Sequence, residues 1–291
     1  MNLDERIFRL FLRVVRPLRN KGLGSNRSVV FTYRGIEKFL MPKARRMVTL
    51  PDYQLHLVLS SIDGISQNLI YNGEYEPVAT SVLRKYTRLE MNVIDVGANI
   101  GYFTLLLSKL VGNLGKVFAF EPEKQNYAAL CHNIQLNNGS NILTYQNAVG
   151  NVDEMCTLYV SSEESGEHSL VTKRHCHATQ TVKVVRLDDL VRNADVIKTD
   201  TEGNDFHVLQ GAERLLSAQP LLITEFWPDG IIKSGHTCEE FWSLLHFYYK
   251  DILIADEVEK TLTTGTIEDA IRRIGVNMMS VNLICSKESL L

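Results

Sequence analysis

The chain has 291 residues, of which 45% are hydrophobic and 22% charged, and its formal net charge at pH 7 is −3. This composition provides enough apolar side chains for one large domain, and the slightly acidic balance argues against a protein that mainly grips nucleic acid phosphates. Five cysteines are scattered without a Cys-x-x-Cys pair, which predicts neither a disulfide framework nor a zinc site and favours a cytoplasmic protein.

The N-terminal sequence MNLDERIFRLFLRVVRPLRNK, residues 1–21, predicts a basic amphipathic helix. Its apolar sector contains Ile7, Leu10, Phe11, Val14, Val15 and Leu18, and its opposite sector contains Arg6, Arg9, Arg13 and Arg16. Such a helix can lie on an anionic membrane surface with its arginines near the head groups. Packing on the domain with a solvated arginine face is an open alternative, since Pro17 disturbs a continuous helix. No apolar run approaches the roughly 20 residues that span a bilayer.

If residues 1–21 attach the protein peripherally to the inner face of a membrane, the full-length chain should sediment with anionic liposomes. A chain that lacks residues 1–21 should remain in solution. Added salt should weaken the attraction, because it screens the charge of the arginines. Equal sedimentation of both chains at low salt would show that the helix only packs on the domain.

From residue 92 onward, short apolar runs alternate with longer helical patterns, which indicates a parallel sheet built from βαβ units. The first five predicted strands are Val93–Asp95, Val117–Phe120, Ile142–Gln146, Val196–Thr199 and Leu221–Thr224. The predicted helices between them are Tyr102–Leu110, Glu123–Asn137 and Phe206–Ser217. A further helix is predicted from Thr237, because Thr237 and Glu240 have the spacing of a capping box.

The last two predicted strands, Ile252–Ile254 and Val281–Cys285, have no long periodic helix between them, which predicts an antiparallel pair at the sheet edge. An insertion at about residues 151–185 contains two strand-like segments and is expected to fold over one edge or over the pocket. We therefore predict an α/β fold with a seven-stranded, mostly parallel, doubly wound (Rossmann-like) sheet at residues 91–291. Residues 1–90 form an N-terminal extension.

The segment NVIDVGANIGYF, residues 92–103, places two glycines between the first strand and the first helix. Gly97 and Gly101 permit positive φ and close approach of a bound group, and the helix offers unpaired N–H groups at its start. The second strand is followed at once by Glu121, twenty residues after Gly101, the spacing at which a carboxylate can accept hydrogen bonds from a ribose. These features predict a nucleotide-like cofactor beyond the strand ends.

The cofactor type is indicated by a departure from the Gly-x-Gly-x-x-Gly pattern, because Ala98-Asn99 replaces the middle glycine that admits a pyrophosphate. The arrangement Asp95-x-Gly97-x-x-x-Gly101 suits S-adenosylmethionine, which carries no phosphate. The turn with Asn99 would approach the amino-acid portion of this cofactor, and Asp95 would accept hydrogen bonds from its ammonium group. A second interpretation of Asp95 is a charge that stabilises the helix N-terminus.

Six segments of the chain, in order, resemble the FkbM-type methyltransferases: NVIDVGANIGYFTLL, GKVFAFEPEKQNYAAL, NAVG, VRLDDL, IKTDTEGNDFHVLQGA and LLITEFWP. The likeness extends from about residue 73 to about residue 230. The resemblance implies an S-adenosylmethionine-dependent methyltransferase that acts on a hydroxyl of a sugar, a glycan or glycolipid, or a natural product. It also implies that the lead-in at residues 72–77, with Glu76, packs near the cofactor.

The fourth strand ends in Lys198-Thr-Asp200-Thr-Glu202-Gly203. In an extended segment Lys198, Asp200 and Glu202 would share one face, and an aliphatic hydroxyl needs a base before it is methylated. We predict that the two carboxylates are catalytic and that Lys198 holds one of them ionised. Gly203 would leave room for a ligand. A salt-bridged cap on the helix that begins near Phe206 is the structural alternative.

Three further residues are candidates for acceptor contacts. His168 lies in the insertion and is also a candidate base by comparison with the resembling family, although a surface histidine is an alternative. Glu225 and Trp227 follow the fifth strand, where an indole face could stack on a sugar ring or belong to the core. Asp200, Glu202 and Glu225 could instead bind Mg²⁺, but nothing in their spacing requires a metal, and none is predicted.

Two other functions fit parts of the sequence. A nicotinamide-dependent sugar oxidoreductase would share the sheet and Glu121, but it would need the glycine that Asn99 replaces. A non-catalytic, membrane-associated module would use the N-terminal helix and would have no need of Asp200 and Glu202. Transfer of label from S-adenosylmethionine to a panel of hydroxylated acceptors would distinguish these classes.

Overall fold

The computed structural model describes residues 46–59, 64–161, 168–171, 176–275 and 279–290. The predicted amphipathic helix at residues 1–21 lies outside the described residues. Across the described ranges, no helix has both the length and the apolar character that crossing a bilayer demands.

The elements are numbered in chain order over the described ranges. The strands are β1 (Arg46–Leu50), β2 (Leu55–Leu59), β3 (Asn92–Val96), β4 (Lys116–Phe120), β5 (Ile142–Tyr145), β6 (Ala148–Val149), β7 (Glu154–Ser161), β8 (Cys176–Val185), β9 (Val196–Thr199), β10 (Leu221–Phe226), β11 (Ile252–Asp256), β12 (Thr261–Thr264) and β13 (Val281–Cys285). The helices are α1 (Gly64–Asn72), α2 (Pro77–Tyr86), α3 (Tyr102–Val111), α4 (Lys124–Leu136), α5 (Leu187–Leu190), α6 (Asp205–Gln210), α7 (Glu213–Leu216), α8 (Pro228–Lys233), α9 (Cys238–Tyr248) and α10 (Ile267–Ile274).

The central sheet has the strand order β12-β11-β13-β10-β9-β3-β4-β5. Neighbours from β10 to β5 are parallel, whereas β13, β11 and β12 pair with their neighbours antiparallel. The predicted mostly parallel α/β sheet is confirmed, and all seven predicted strands belong to it. The capping box is also confirmed, since Thr237 accepts from the N–H of Glu240 and the Glu240 carboxylate accepts from Thr237.

The strand order and one helix differ from the prediction. β11 and β13 are antiparallel as predicted, but β13 lies between β10 and β11, and an additional eighth strand, β12, forms the edge. The helix predicted over Phe206–Ser217 is divided into α6 and α7. The break lies at Gly211, where a Cβ would stand 2.0 Å from the carbonyl oxygen of Gly150. The helix is therefore interrupted where its backbone packs directly against the backbone of Gly150.

Helices cover both faces of the sheet, as the alternation of buried residues along β3 shows. Ile94 and Val96 belong to a cluster with the α9 residue Trp242, whereas Val93 belongs to a cluster with the α3 residue Leu105 on the other face. Both faces are therefore apolar, and polar side chains gather at the carboxyl ends of the strands. In a doubly wound sheet this is where a ligand binds.

The turn that precedes helix α2 lies at these strand ends. Its N-cap, Glu76, is left-handed at φ 44°, and the carboxylate of Glu257 accepts from the N–H groups of Val78 at 2.7 Å and Ala79 at 3.1 Å. The hydroxyl of Thr80 donates to the carbonyl of Tyr75 at 2.8 Å. The turn thus stands in a conformation that is uncommon for a non-glycine residue and is held from two sides.

The predicted insertion contributes β7 and β8 to a small sheet with the order β6-β8-β7, in which β6 comes just before the insertion. It connects to the strand ends through Ser169, whose hydroxyl donates to the carbonyl of Glu202 at 2.7 Å. Gln180 of β8 also donates to the carbonyl of Pro122 at 3.0 Å. These contacts place the described part of the insertion beside the carboxyl ends of β4 and β9.

Candidate active site

The turn between β3 and α3 takes its shape from residues with positive φ. Gly97 (φ 80°) lies so close to β9 that a Cβ would stand 1.8 Å from the carbonyl oxygen of Asp200. Asn99 is left-handed at φ 49° and Gly101 has φ 96°. A Cβ on Gly101 would meet the Leu130 side chain at 2.7 Å, so the lack of a side chain at Gly101 allows helix α4 to pack closely against the turn. The close approach at Gly101 is therefore to the protein itself, and at Gly97 it brings Asp200 to the turn.

Asp95 is buried beneath this turn. Its Oδ2 accepts from the hydroxyl of Thr104 at 2.5 Å, and its Oδ1 is buried without a hydrogen-bond partner among the described residues. Burial raises the pKa of Asp95, and the charge of Lys198 opposes this rise. A buried carboxylate oxygen that lacks a partner is costly, so it favours a donor from a bound ligand.

Glu121, at the end of β4, is held by backbone donors. Its Oε2 accepts from the N–H of Asn99 at 2.8 Å, and its Oε1 accepts from the N–H of Glu123 at 2.9 Å. Burial raises the pKa of Glu121 to about 8, against the effect of these two hydrogen bonds. The side chain therefore fixes the β3–α3 turn as well as facing the cavity beside it.

A cavity at the strand ends collects six of the predicted site residues, which are Gly97, Asn99, Glu121, His168, Asp200 and Glu202. The remaining predicted residues are not part of this lining: Asp95, Gly101, Glu76, Lys198, Glu225 and Trp227. The cavity therefore unites the turn, the acid of β4 and the two acids that follow β9. Residues from the insertion, Leu158, His168 and Leu170, complete its wall.

Three carboxylates come together at the ends of β9 and β10. Oxygen atoms of Asp200, Glu202 and Glu225 all lie within 4.8 Å of one another. The predicted convergence of Asp200 and Glu202 is therefore present, but its reason differs. β9 ends at Thr199 and Glu202 is left-handed at φ 53°, so a turn rather than strand alternation aims the second carboxylate. Oxygen ligands at this spacing could also hold a hard divalent cation.

Lys198 is the cation of this carboxylate cluster. Its side chain is buried, and its Nζ lies 3.2 Å from Oδ2 of Asp200 and 3.8 Å from Oε2 of Glu76. The same Nζ lies 4.4 Å from the ring centroid of Phe103. The pKa of Lys198 is raised: burial would lower it, but the charges of Asp200 and Glu76 outweigh burial. The ammonium group is thus charged and shared between two carboxylates.

Glu225 and Glu76 hold their protons more tightly than ordinary glutamates. Burial and the charge of Asp200 raise the pKa of Glu225 well above its usual value, and its Oε2 is buried without a hydrogen-bond partner among the described residues. Burial raises the pKa of Glu76 to about 7, and Lys198 opposes this rise. Carboxylates whose pKa values are raised in this way are suited to accept protons near neutral pH.

The structural alternative for Asp200 and Glu202 is a salt-bridged cap on the helix near Phe206, which is α6. Asn204 is the N-cap of α6, and Asp205 accepts from the N–H of Thr201 at 3.2 Å and from its hydroxyl at 2.9 Å. The N-cap position of α6 is therefore occupied by Asn204, and the ion pair of Asp200 is made with Lys198 of β9.

His168 lies on the insertion side of the cavity. Its Nδ1 accepts from the N–H of Ser161 at 3.1 Å, which assigns the ring proton to Nε2. Burial lowers the pKa of His168, so the ring is neutral near pH 7. In this state Nε2 is a hydrogen-bond donor, which suits acceptor contact better than proton abstraction.

The prediction for Trp227 as a platform for a sugar ring is wrong in this structure. Trp227 is only 5% exposed, and a Cβ on Gly203 or Gly230 would press on its indole at 3.1 Å and 2.6 Å. Gly203, which was expected to leave room for a ligand, leaves room for this tryptophan and for Gly230 instead. Trp227 is a core residue that supports the turn after β9.

Sequence reasoning missed Tyr75. Its ring packs at 6.2 Å from Phe103, the ring that lies beneath Lys198. Burial, followed by the charges of Glu76, Asp200, Glu202 and Glu225, raises the pKa of Tyr75 well above its usual value, which marks it as a neighbour of the whole carboxylate cluster. The only signal for Tyr75 in the sequence was its place in the lead-in segment at residues 72–77.

Comparisons of the sequence with a family model and with curated proteins find methyltransferases. The family model described as methyltransferase FkbM domain matches residues 95–248 of the 291. A hexuronic acid methyltransferase, AglP, from Haloferax volcanii is 30% identical over 45% of this chain and 54% of its own length. Methyltransferase 1 from Beauveria bassiana is 26% identical over 42% of this chain and 58% of its own length. The chain therefore spans little more than half of these curated relatives.

Among solved structures, a SAM-dependent O-methyltransferase from Thermotoga maritima has a TM-score of 0.43 and 11% identity, over 81% of this chain and 78% of that one.

Proposed function

The chain belongs to the FkbM methyltransferase family, whose methyl donor is S-adenosylmethionine, and we propose that it methylates a hydroxyl of a sugar, a glycan or glycolipid, or a natural product. The observation that carries this proposal is the cluster of Asp200, Glu202 and Glu225, with oxygen atoms within 4.8 Å at the strand ends. A hydroxyl of high pKa needs a proton acceptor when it attacks a methyl group, and this cluster supplies one beside the cavity.

The residues around the cavity fit S-adenosylmethionine. The unpartnered Oδ1 of Asp95 and the carboxylate of Glu121 are acceptors for its ammonium and ribose hydroxyl groups, and the turn with Gly97 and Asn99 presents backbone to the ligand. When bound, the cofactor supplies an electrophilic methyl group. Family membership also sets aside the nicotinamide-dependent oxidoreductase.

The proposed roles of the carboxylates follow from their partners. Asp200 is paired with the buried ammonium group of Lys198 at 3.2 Å, which fixes the position of its carboxylate at the strand end. Glu225 has a raised pKa, so once ionised it is the stronger proton acceptor. Glu202 completes the set, and His168 on the opposite wall can donate a hydrogen bond to the acceptor. We propose that the cluster as a unit receives the hydroxyl proton.

Label transfer tests the proposed function. Purified full-length protein incubated with S-adenosylmethionine labelled on the methyl group should label at least one member of a panel of glycans, glycolipid precursors and hydroxylated natural products. Cleavage of the product should recover the label as a methyl ether. Label recovered as a methyl ester or on nitrogen would contradict the proposal for a hydroxyl, and tight binding of NAD without binding of S-adenosylmethionine would contradict the cofactor assignment.

Replacing Glu121 by alanine should weaken binding of S-adenosylmethionine by about 1 to 3 kcal/mol, or roughly 5- to 150-fold in Kd, because the hydrogen bonds between its carboxyl group and the ribose hydroxyls are lost. Calorimetry measures the change directly. Glu123→Ala is the matched control, since Glu123 is a neighbouring buried carboxylate that caps α4 by accepting from the N–H of Asn126. Equal affinity losses in both variants would show that Glu121 acts only through the fold.

A further inference from the structure

The carboxylate cluster receives acids from three separate parts of the chain. Asp200 and Glu202 follow β9, Glu225 lies on β10, and Glu76 precedes α2. Glu257 lies near enough to Glu76 for its charge to raise the pKa of Glu76 further, and it is itself held by the N–H groups of Val78 and Ala79. The convergence of acids from distant segments therefore belongs to the fold of the site and is not a chance run of surface charge.

The positive charge of the cluster, on Lys198, is already paired with carboxylates of the protein. Lys198 is 1% exposed, lies between Asp200 and Glu76 and stands on the ring of Phe103. It cannot turn toward an incoming anion without leaving two partly buried carboxylates unpaired, which is unfavourable. His168 supplies no positive charge either, because burial keeps it neutral near pH 7.

The hydrogen-bonding character of the cluster also selects its ligand. The carboxylate oxygens of the cluster accept hydrogen bonds, and the hydroxyl groups of a polyol can donate them. A polyol therefore complements the cluster, whereas a carboxylate would bring further acceptors and a further negative charge to it.

We propose, on the basis of the proposed function, that the acceptor is an uncharged polyhydroxyl unit at the point where it meets Asp200, Glu202 and Glu225, and that the site discriminates against uronates. This substrate class differs from the hexuronic acid that appears in the name of the relative from Haloferax volcanii. The discrimination arises from like charge in a partly buried site, where it acts more strongly than in water.

Matched acceptors test the inference. Methyl glucoside and methyl glucuronoside, and the corresponding galacto pair, differ only in the charged group at C6. With the full-length protein at saturating S-adenosylmethionine, pH 8.5 and excess EDTA, kcat/KM for the neutral member should exceed that for the uronate by about ten- to a thousand-fold. Calorimetric titration of the same glycosides into the protein with S-adenosylhomocysteine should give the same order of affinity without any turnover.

A variant connects the preference to the cluster. At pH 8.5, above the pKa of about 7, Glu76 is ionised, so Glu76→Gln should reduce the ratio of neutral to uronate kcat/KM by about tenfold. At pH 6 the same substitution should change the ratio little, because most of the glutamate is already protonated. The titratable and charged groups around Glu76 are Tyr75, Lys198, Asp200, Glu225 and Glu257, and all remain in the variant. Effects on cofactor affinity cancel in this ratio, and the exposed helix residue Glu239, as Glu239→Gln, is the control that should leave it unchanged.

The outcomes separate the inference from the function on which it rests. Equal or better methylation of the uronates, in EDTA or only after Mg²⁺ is added, would overturn the inference while leaving a methyltransferase in place. Failure of every acceptor in the panel and in the matched pairs to become labelled would contradict the proposed function. In that case, tighter calorimetric binding of the uronates would overturn the charge preference independently.

Discussion

Replacing Asp200 by asparagine should lower kcat by about a hundred- to ten-thousand-fold, equivalent to roughly 3 to 5 kcal/mol in the barrier. The amide would keep the shape of the side chain but lose the charge that pairs with Lys198 at 3.2 Å and that acts on Glu225. Affinity for S-adenosylmethionine and the melting temperature should stay near wild type, since Glu76 remains within 3.8 Å of Lys198. Glu202→Gln should lower kcat in the same direction. Single-turnover label transfer measures the chemical step without interference from product release.

Asp195 supplies the matched control for this substitution. It precedes the opposite end of β9, where its carboxylate accepts from the N–H of Asn92 at 2.8 Å, far along the strand from the cluster. Asp195→Asn should leave kcat unchanged. If Asp200→Asn lowered the melting temperature and left the rate of the surviving enzyme near wild type, the carboxylate would be structural and the catalytic assignment would fail.

The pH profile gives a second signature of the cluster. A proton acceptor must be ionised, so activity should rise with pH through the raised pKa of Glu225. Because the charge of Asp200 contributes to that raised pKa, Asp200→Asn should move the rising limb of the residual activity to lower pH. Loss of wild-type activity in EDTA, restored by Mg²⁺, would instead identify Asp200, Glu202 and Glu225 as metal ligands.

The parts of the fold that the sequence predicted well are those with strong local signals. β9 and β13 have the predicted ends because apolar runs define them, and the capping box at Thr237 depends on residues three positions apart. The break at Gly211 is set by the backbone of Gly150, about sixty residues away in the sequence, and no local pattern reports it. The edge strand β12 has a threonine-rich sequence without a clear apolar alternation, so its pairing with β11 was not expected.

In the site, too, the residues with a local sequence signal could be predicted and those placed by long-range contacts could not. Acids that directly follow predicted strands, such as Glu121 and Asp200, could be placed from sequence because parallel strands end at the same edge. Tyr75 could not be placed, since a left-handed turn before α2 brings it to the cluster. The error at Trp227 has a related cause, because two glycines from different segments, Gly203 and Gly230, let the indole sink into the core.

Replacing Lys198 by methionine should destabilise the protein by about 3 to 5 kcal/mol, because it leaves Asp200 and Glu76 as uncompensated, partly buried charges. Methionine retains most of the apolar stem over Phe103, so the loss reports mainly on the ammonium group. The melting temperature should fall by roughly 6 to 20 °C for a chain of this size. Activity should also fall, since without the lysine the pKa values of Glu76 and Asp95 rise further.

The chain offers a close control for the charge at position 198, because Lys183 also lies 3.2 Å from a carboxylate, that of Asp153, but its side chain is 51% exposed. Lys183→Met should cost no more than about 1 kcal/mol, since water screens an exposed pair of the same geometry. The double variant Lys198→Met/Asp200→Asn should recover part of the stability lost in Lys198→Met, because removing the second charge removes its unpaired burial. If the two single lysine variants unfolded at the same denaturant concentration, the carboxylates around position 198 would be taking up protons at little cost. The charged cluster on which both catalysis and acceptor choice depend would then be absent.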